Sequence, residues 1–522
     1  MNRLTPGAWD HQEERLGVAA SFISHRHTRF FAITCIAVVA WCLRAWPLIA
    51  WGATGPKIDY DEGVYFSTAA LFWKSVLPYK DFVLVHPPGL LIFLSPIASL
   101  TDVIGTRNAL SIARWAMTLV GFLNALLLGR TVERAAGPFS GIVASLLYAI
   151  SPEAVAADRS VFLEPVVNLC AVGMMNATLR DRPRFSLAGV YAAAAVAVKL
   201  LAGVWAIGLL TVLICTRRWI AAKRFTVAAS VSFALLVGPF ALLAPRSFFD
   251  TVIHFQVMRP PDGFGRLARL AVVWNVNRVV AWLPAAIALA LGFFVRRLRE
   301  SDAFRIFGAV YVLAIILLLL ARTYWKAYNV QTTISECALG GMAAGAALTW
   351  LQSSLASRRT TVVSVTASAT FIVAGFFLAL YPIAKDGWHH DSDLPALAAN
   401  LADLPHDKCL FGVEPGPGLF AGRLPPARDE VPIIVETYAT TLIDAMTYAR
   451  FPSTASAQIS DAAVARLRPR MEACASVVLG DSFVAPLGFP NKRSWFRTEF
   501  VRARTVKGRP GFDRWDRQVA AR

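Results

Sequence analysis

Long apolar runs alternate with short polar connectors as far as residue 383, where the pattern changes. A bilayer-crossing helix needs about 20 mostly apolar residues. Runs near 30–50, 107–129, 138–153, 162–179, 185–199, 201–216, 225–245, 279–295, 304–321, 331–351 and 361–383 predict about 11 spans. From about 385 onward no run is long enough to cross, and Pro, Gly and charged residues become common. There, "KCLFGVEPG", "EVPIIVETYA" and "ASVVLGDSF" read as short buried strands, and "DAAVARLRPRMEAC" has helical spacing. The expected architecture is a polytopic α-helical membrane protein. It has an N-terminal tail (1–29), a transmembrane domain (30–383) and a small extracytoplasmic α/β domain (384–522).

Composition agrees: of 522 residues, 56% are hydrophobic and only 16% charged, with a mean hydropathy of +0.51. A net charge of +18 would suit nucleic acid if it lay on one face. It falls instead in clusters between the apolar runs: "HRHTR" (25–29), "RTVER" (130–134), "RDRPR" (180–184), "RRWIAAKR" (217–224), "RRLRE" (296–300) and "SRR" (357–359). In the 11-span scheme these clusters share one side, which the excess of Lys and Arg marks as cytoplasmic. No nucleic-acid partner is expected. Seven cysteines show no metal-ligand spacing; Cys409 and Cys474, the two in the C-terminal domain, form the candidate disulfide. The N-terminus lacks a short apolar core with a small-residue cleavage site, so no cleaved signal peptide is expected.

The opposite, extracytoplasmic side receives the chemically interesting residues. The first loop opens with Asp59, Asp61 and Glu62, followed by an amphipathic pattern (Val64, Leu71, Phe72, Val76) that predicts an interfacial helix. It continues through Lys80, Asp81 and "HPPG" (86–89) into an apolar stretch, 88–101, too short to cross and read as interfacial or re-entrant. The next loop, "DRSVFLEP", adds Asp158, Arg159 and Glu164. Lys199 interrupts an apolar run, where it either snorkels to the interface or holds a lipid phosphate. Later loops supply His254, Arg259, Arg266, Arg322, Lys326 and Tyr328, an outer basic set that suits an anionic substrate. Arg44 reads as a snorkelling side chain.

The order of these features over 30–383 resembles the integral-membrane C-type (GT-C) glycosyltransferases that use polyprenyl-phosphate sugars, especially protein O-mannosyltransferases and the lipid A aminoarabinose transferase. The match is carried by "DEGVY", the "HPPG" turn, "RSVFLEP" and the lone Lys199. The resemblance implies that Asp61 is the catalytic base, with Glu62 and Glu164 shaping the site. It implies Lys199 and Arg259 as leading donor-phosphate ligands, His86 and Lys326 as lesser ones, and Asp59, Lys80, Arg159 and Tyr328 beside the substrates. His86 departs from the Lys often found before the prolines in such enzymes. A base at Asp61 would deprotonate an acceptor hydroxyl as it attacks the anomeric carbon, inverting it. The implied partners are a polyprenyl-phosphate sugar, a lipid, glycan or protein acceptor, and the bilayer. No cofactor is certain, and a divalent cation stays open.

Two other classes compete with this reading. A secondary transporter would place its coupling residues at the membrane midplane, often within internal repeats, whereas these acids sit in loops and no inverted repeat is visible. A membrane scaffold would not require the acids, Lys199 and the basic loops to share a side.

Overall fold

The computed structural model describes residues 26–50, 52, 59–263, 265–354, 399–404, 409–425, 433–448, 452–458, 460–480, 494–506 and 512–518. Each predicted apolar segment up to 351 coincides with a helix or a pair of helices. Segment 361–383 and the proposed boundary at 384 lie outside the described residues. Among those described, Arg26–Ala50 (from His27), Thr106–Ala136, Trp219–Leu243 and Asp302–Leu320 are long and apolar enough to cross a bilayer alone. A fifth crossing results if Pro138–Ile150 and Pro152–Asp158, bent by 65° at Ser151, form one broken span. Phe185–Val198 and Val279–Phe294 are apolar but shorter. The chain is thus a multi-pass helical protein, and the figure of 11 spans is finer than these lengths establish.

Close packing in the bundle follows from small side chains. Ala188, Ala192, Ala193, Ala195 and Ala197 are buried in helix Phe185–Val198, which packs along Trp219–Leu243. Alanine lets two backbones approach where lipid supplies little driving force for association. Outward-facing Leu235, Leu242, Phe293 and Phe294 are exposed, as expected of a lipid-facing surface.

Arg44 does not snorkel. It is fully buried: its Nε donates to Asp158 Oδ2 at 2.8 Å, and its other nitrogens donate to the carbonyls of Ala40, Ala149 and Tyr148. Tyr148 donates to the same Asp158 oxygen at 3.0 Å. A guanidinium with this many acceptors is cheaper to leave inside the protein than to stretch to an interface. Arg44 and Asp158 therefore tie the first helix to the second loop.

The first loop forms helices Tyr60–Trp73 and Gly89–Ala98. The first does not lie half-wet at an interface, because Glu62 through Leu71 are all buried. The C-terminal domain covers it: a Cβ on Gly63 would stand 2.9 Å from the backbone nitrogen of Gly416, in the short helix Pro415–Phe420. Glycine is needed there because two backbones cross in contact.

The C-terminal domain has a four-stranded sheet of β1 (Leu410–Gly412), β2 (Ser476–Gly480), β3 (Phe500–Val506) and β4 (Phe512–Arg517), in the order β1-β2-β4-β3. The β1–β2 pair is parallel; the β2–β4 and β3–β4 pairs are antiparallel. Helix Asp461–Ala473, capped by the Ser460 hydroxyl at 3.1 Å, packs its Val464, Leu467 and Met471 into this sheet's core. Cys409 and Cys474 are joined by a disulfide beside β1 and β2. Among the described residues of "EVPIIVETYA", 433–439, none joins the sheet. Ile433 instead bridges to Phe82 of the first loop, and helix Thr437–Tyr448 begins four residues later.

Candidate active site

Asp59 caps helix Tyr60–Trp73 by accepting the Asp61 backbone N–H at 3.1 Å, which fixes the helix's first turn. One residue beyond Asp61, Glu62 points the other way into the bundle. Both its oxygens accept from Arg114, at 2.7 and 2.6 Å, and Oε1 also accepts the Val161 N–H at 3.0 Å. The Glu62 carboxylate is therefore occupied by protein donors. It aligns the first loop, the Thr106–Ala136 helix and the second loop. Arg114 was not singled out in the sequence, although a lone Arg within an apolar run was the available signal.

The second loop places Glu164 at the first position of helix Glu164–Thr178, ahead of Pro165, where an N-terminal carboxylate is favoured. Lys199 ends helix Phe185–Val198 in extended conformation (φ −151°, ψ 124°), and the chain resumes as Leu200–Ala202. This break turns the ammonium inward. Lys199 is buried, donates to Glu164 Oε1 at 2.6 Å and stands 4.2 Å from the Tyr328 ring centroid. It does not snorkel. The "HPPG" turn packs directly behind it: a Cβ on Gly89 would meet the Ala197 carbonyl carbon at 2.6 Å.

Tyr328 joins this pair to Arg259. The Arg259 guanidinium donates to the Tyr328 hydroxyl at 3.0 Å and to the Thr323 carbonyl at 3.3 Å. Arg259 is buried, yet among the described residues nothing accepts from its Nε. An unmatched buried N–H is costly, so this donor is suited to an anion. The loop carrying Arg259 is itself held by Asp262, which accepts from the Tyr324 N–H at 2.6 Å and from Arg269 at 3.1 Å.

Asp61 is exposed in the first turn of helix Tyr60–Trp73. Desolvation, then Asp59 and Glu164, push its pKa up to about 7, against the pull of Lys199. His86 packs edge-on against Tyr65, ring centroids 5.8 Å apart, and the Tyr79 hydroxyl donates to its carbonyl at 2.7 Å. Burial, with Lys199 and Arg259 nearby, pulls its pKa down to about 3. The imidazole is neutral at physiological pH, so it can offer a phosphate a hydrogen bond but no charge.

A further carboxyl, Glu436, arrives from the C-terminal domain. It is buried, and its Oε2 accepts the Val85 N–H at 3.4 Å. Burial and Asp61 push its pKa up to about 8, against the Val85 hydrogen bond and Arg259. The segment read as a strand hid this acid, whose one sequence signal was a Glu directly after the apolar "IIV". Lys80 lies exposed on the turn before "HPPG", outside these hydrogen bonds and ion pairs. Arg159 is half-buried at the C-cap of helix Pro152–Asp158, next to Asp158. Lys326 opens the turn Lys326–Asn329, and its side chain is not among those described.

The described residues do not offer a cation cage. No group of three or more His, Cys, Asp or Glu among them is arranged to hold a metal, and Glu164 is already engaged by Lys199.

The arrangement of apolar helices, first loop and C-terminal sheet is a fold shared with solved membrane-protein structures. The structure is similar to that of ArnT from Cupriavidus metallidurans bound to undecaprenyl phosphate: TM-score 0.59, 13% identity, 94% of this chain and 98% of that one covered. It is similar also to the apo oligosaccharyltransferase of Archaeoglobus fulgidus: TM-score 0.59, 10% identity, 87% of this chain and 70% of that one. That archaeal enzyme in complex with an inhibitory peptide and a dolichol-phosphate gives a TM-score of 0.56 at 10% identity, over 86% and 69% of the two chains. No family model matches the chain, and no curated protein matches it in sequence.

Proposed function

We propose that this protein is a membrane glycosyltransferase that moves a sugar from a polyprenyl-phosphate donor to a hydroxyl of a lipid, glycan or protein acceptor. The transfer takes place on the extracytoplasmic face of an 11-span chain. The observation that carries this reading is the buried cationic pair Lys199 and Arg259, joined through Tyr328, with Asp61 within electrostatic reach of Lys199 and Glu164. Similar solved structures hold undecaprenyl phosphate or dolichol-phosphate, which supports a donor of this class.

In this mechanism the acceptor hydroxyl hydrogen-bonds to the ionised Asp61. As its oxygen bonds to the anomeric carbon, its proton passes to Asp61, and the bond from that carbon to the phosphate oxygen breaks with its electron pair. A base whose pKa lies near the working pH combines availability with driving force, a contribution of about 100- to 10,000-fold. The departing phosphate gains charge. Arg259 meets it with its unmatched Nε and Lys199 with the ammonium held by Glu164, both in a water-poor setting where fixed cations act most strongly. His86 adds a neutral hydrogen-bonding ring, and Lys326 follows Trp325 on the loop leading to Tyr328. Lys80, Arg159 and Asp59 lie on the loops around this centre. Direct displacement inverts the anomeric carbon.

The test incubates purified protein with a panel of polyprenyl-phosphate sugars and extracted envelope lipids, with and without a chelator. The expected result is loss of sugar from one donor with release of free polyprenyl phosphate. If no donor in a broad panel is consumed while the protein stays folded, the proposal fails.

A further inference from the structure

The segment 433–438 is fastened to the membrane domain at several points. Ile433 bridges to Phe82, the Tyr438 N–H donates to the Tyr60 hydroxyl at 2.9 Å, and the Tyr438 ring packs edge-on against Trp325 with centroids 5.9 Å apart. Between these anchors Glu436 is buried, with its carboxyl at the Val85 N–H, one residue before His86. These contacts set its carboxyl beside the turn that carries His86. Resting on the transferase reading above, we infer that Glu436 is a further binding-site residue, delivered by the C-terminal domain, which admits the donor phosphate only while its carboxyl carries a proton.

The charges facing Glu436 explain why. Helix Tyr60–Trp73 presents Asp61, Tyr60 and Tyr65; Glu414 lies by Tyr60; and Arg259 approaches from the loop that also carries Asp262. Glu164, Lys199, Tyr328 and His86 complete the surroundings through Asp61, Tyr65 and His86. Acids thus outnumber the cations Lys199 and Arg259 in this setting. With Asp61 ionised to act as base, a second bare carboxylate would be repelled by it and would draw Arg259 from the phosphate. Desolvation and the Asp61 charge keep Glu436 protonated up to about pH 8. The neutral carboxyl can donate its O–H to a phosphate or sugar oxygen. Once ionised it can only accept, and it adds a negative charge where an anion must sit.

The experiment measures binding of a C55 polyprenyl monophosphate to the full-length protein in detergent, by intrinsic tryptophan fluorescence, from pH 7 to 9.5. Over the upper half of that range the ligand is already fully ionised, so its own charge does not drive the change. If only the protonated form binds, the apparent Kd of the wild-type protein rises about tenfold from pH 7 to pH 9. In Glu436→Gln, which keeps the shape and cannot ionise, the rise is expected to stay below about twofold. Glu436→Asp, which keeps an ionisable carboxyl, should restore an alkaline decline. A merely structural Glu436 would alter Kd without changing its pH dependence. The same alkaline decline in wild type and Glu436→Gln, or no decline in wild type, overturns the role of Glu436 alone. Absence of binding at every pH overturns the reading of the site and this inference with it.

Discussion

At the scale of single residues, the structure separates acids that the sequence presents side by side. Asp59 caps a helix, Asp61 is exposed, and Glu62 is buried against Arg114. Asp61→Asn keeps the shape and removes the base, so turnover should fall by about 100-fold or more. Asp59→Asn retains a good cap and should have a smaller effect, visible in the same assay. Glu62→Gln weakens a buried, doubly hydrogen-bonded pair and should appear first as lost thermal stability. Breaking such a pair costs about 3–5 kcal/mol. Lys199→Ala should raise the donor KM and lower turnover; unchanged values for both in folded protein would reject its contact with phosphate. Since Asp61 must be ionised and Glu436 protonated, activity should rise with pH through about 7 and fall above about 8, which a pH–rate profile would read directly. Asp61 and Lys199 were legible in the sequence because a charge beside an apolar run needs a reason. Glu436 was not, because one acid after three apolar residues in a soluble domain is unremarkable until folding brings it some 350 positions back, to Val85.

At the scale of elements, local patterns foretold helices well and their surroundings less well. The 3.6-residue pattern of 60–76 correctly gave a helix. It could not say that a distant domain would cover the polar side, so a helix expected at an interface is buried around Gly63. The mixed pattern of "EVPIIVETYA" suited a strand, but Ile433 and Val435 meet the first loop while Ile434 packs into the sheet's core. Two glycines set the docking distances. Gly89→Ala would press a methyl into the Ala197 carbonyl and displace Lys199. Overpacking of this kind costs about 1–3 kcal/mol, and we expect weaker donor use with the helices still formed, as checked by circular dichroism and donor KM. Gly63→Ala should loosen the C-terminal domain at Gly416, read as faster proteolysis of that domain in the intact protein.

At the scale of the whole molecule, composition and the distribution of Arg and Lys pointed to a membrane protein, and the helices agree. The number of crossings was less legible, because helices such as Phe185–Val198 and Val279–Phe294 are too short to be counted by length alone. The positive clusters still make a sharp statement about orientation. A cysteine introduced at position 182 should react with an impermeant label only from the cytoplasmic face, and one at position 400 only from outside. Labelling of position 400 from the cytoplasm would reverse the orientation and remove the site from the face where the transfer is proposed. The Cys409–Cys474 disulfide gives the same question a chemical form, since such bonds persist in oxidising compartments.

The most direct test of the transferase account is single-turnover consumption of a polyprenyl-phosphate sugar used by the wild-type protein, compared with Asp61→Asn at saturating donor. The account predicts that the variant binds the donor and remains folded while its rate of sugar release falls by about 100-fold or more. Near-normal sugar release by folded, donor-saturated Asp61→Asn would contradict it.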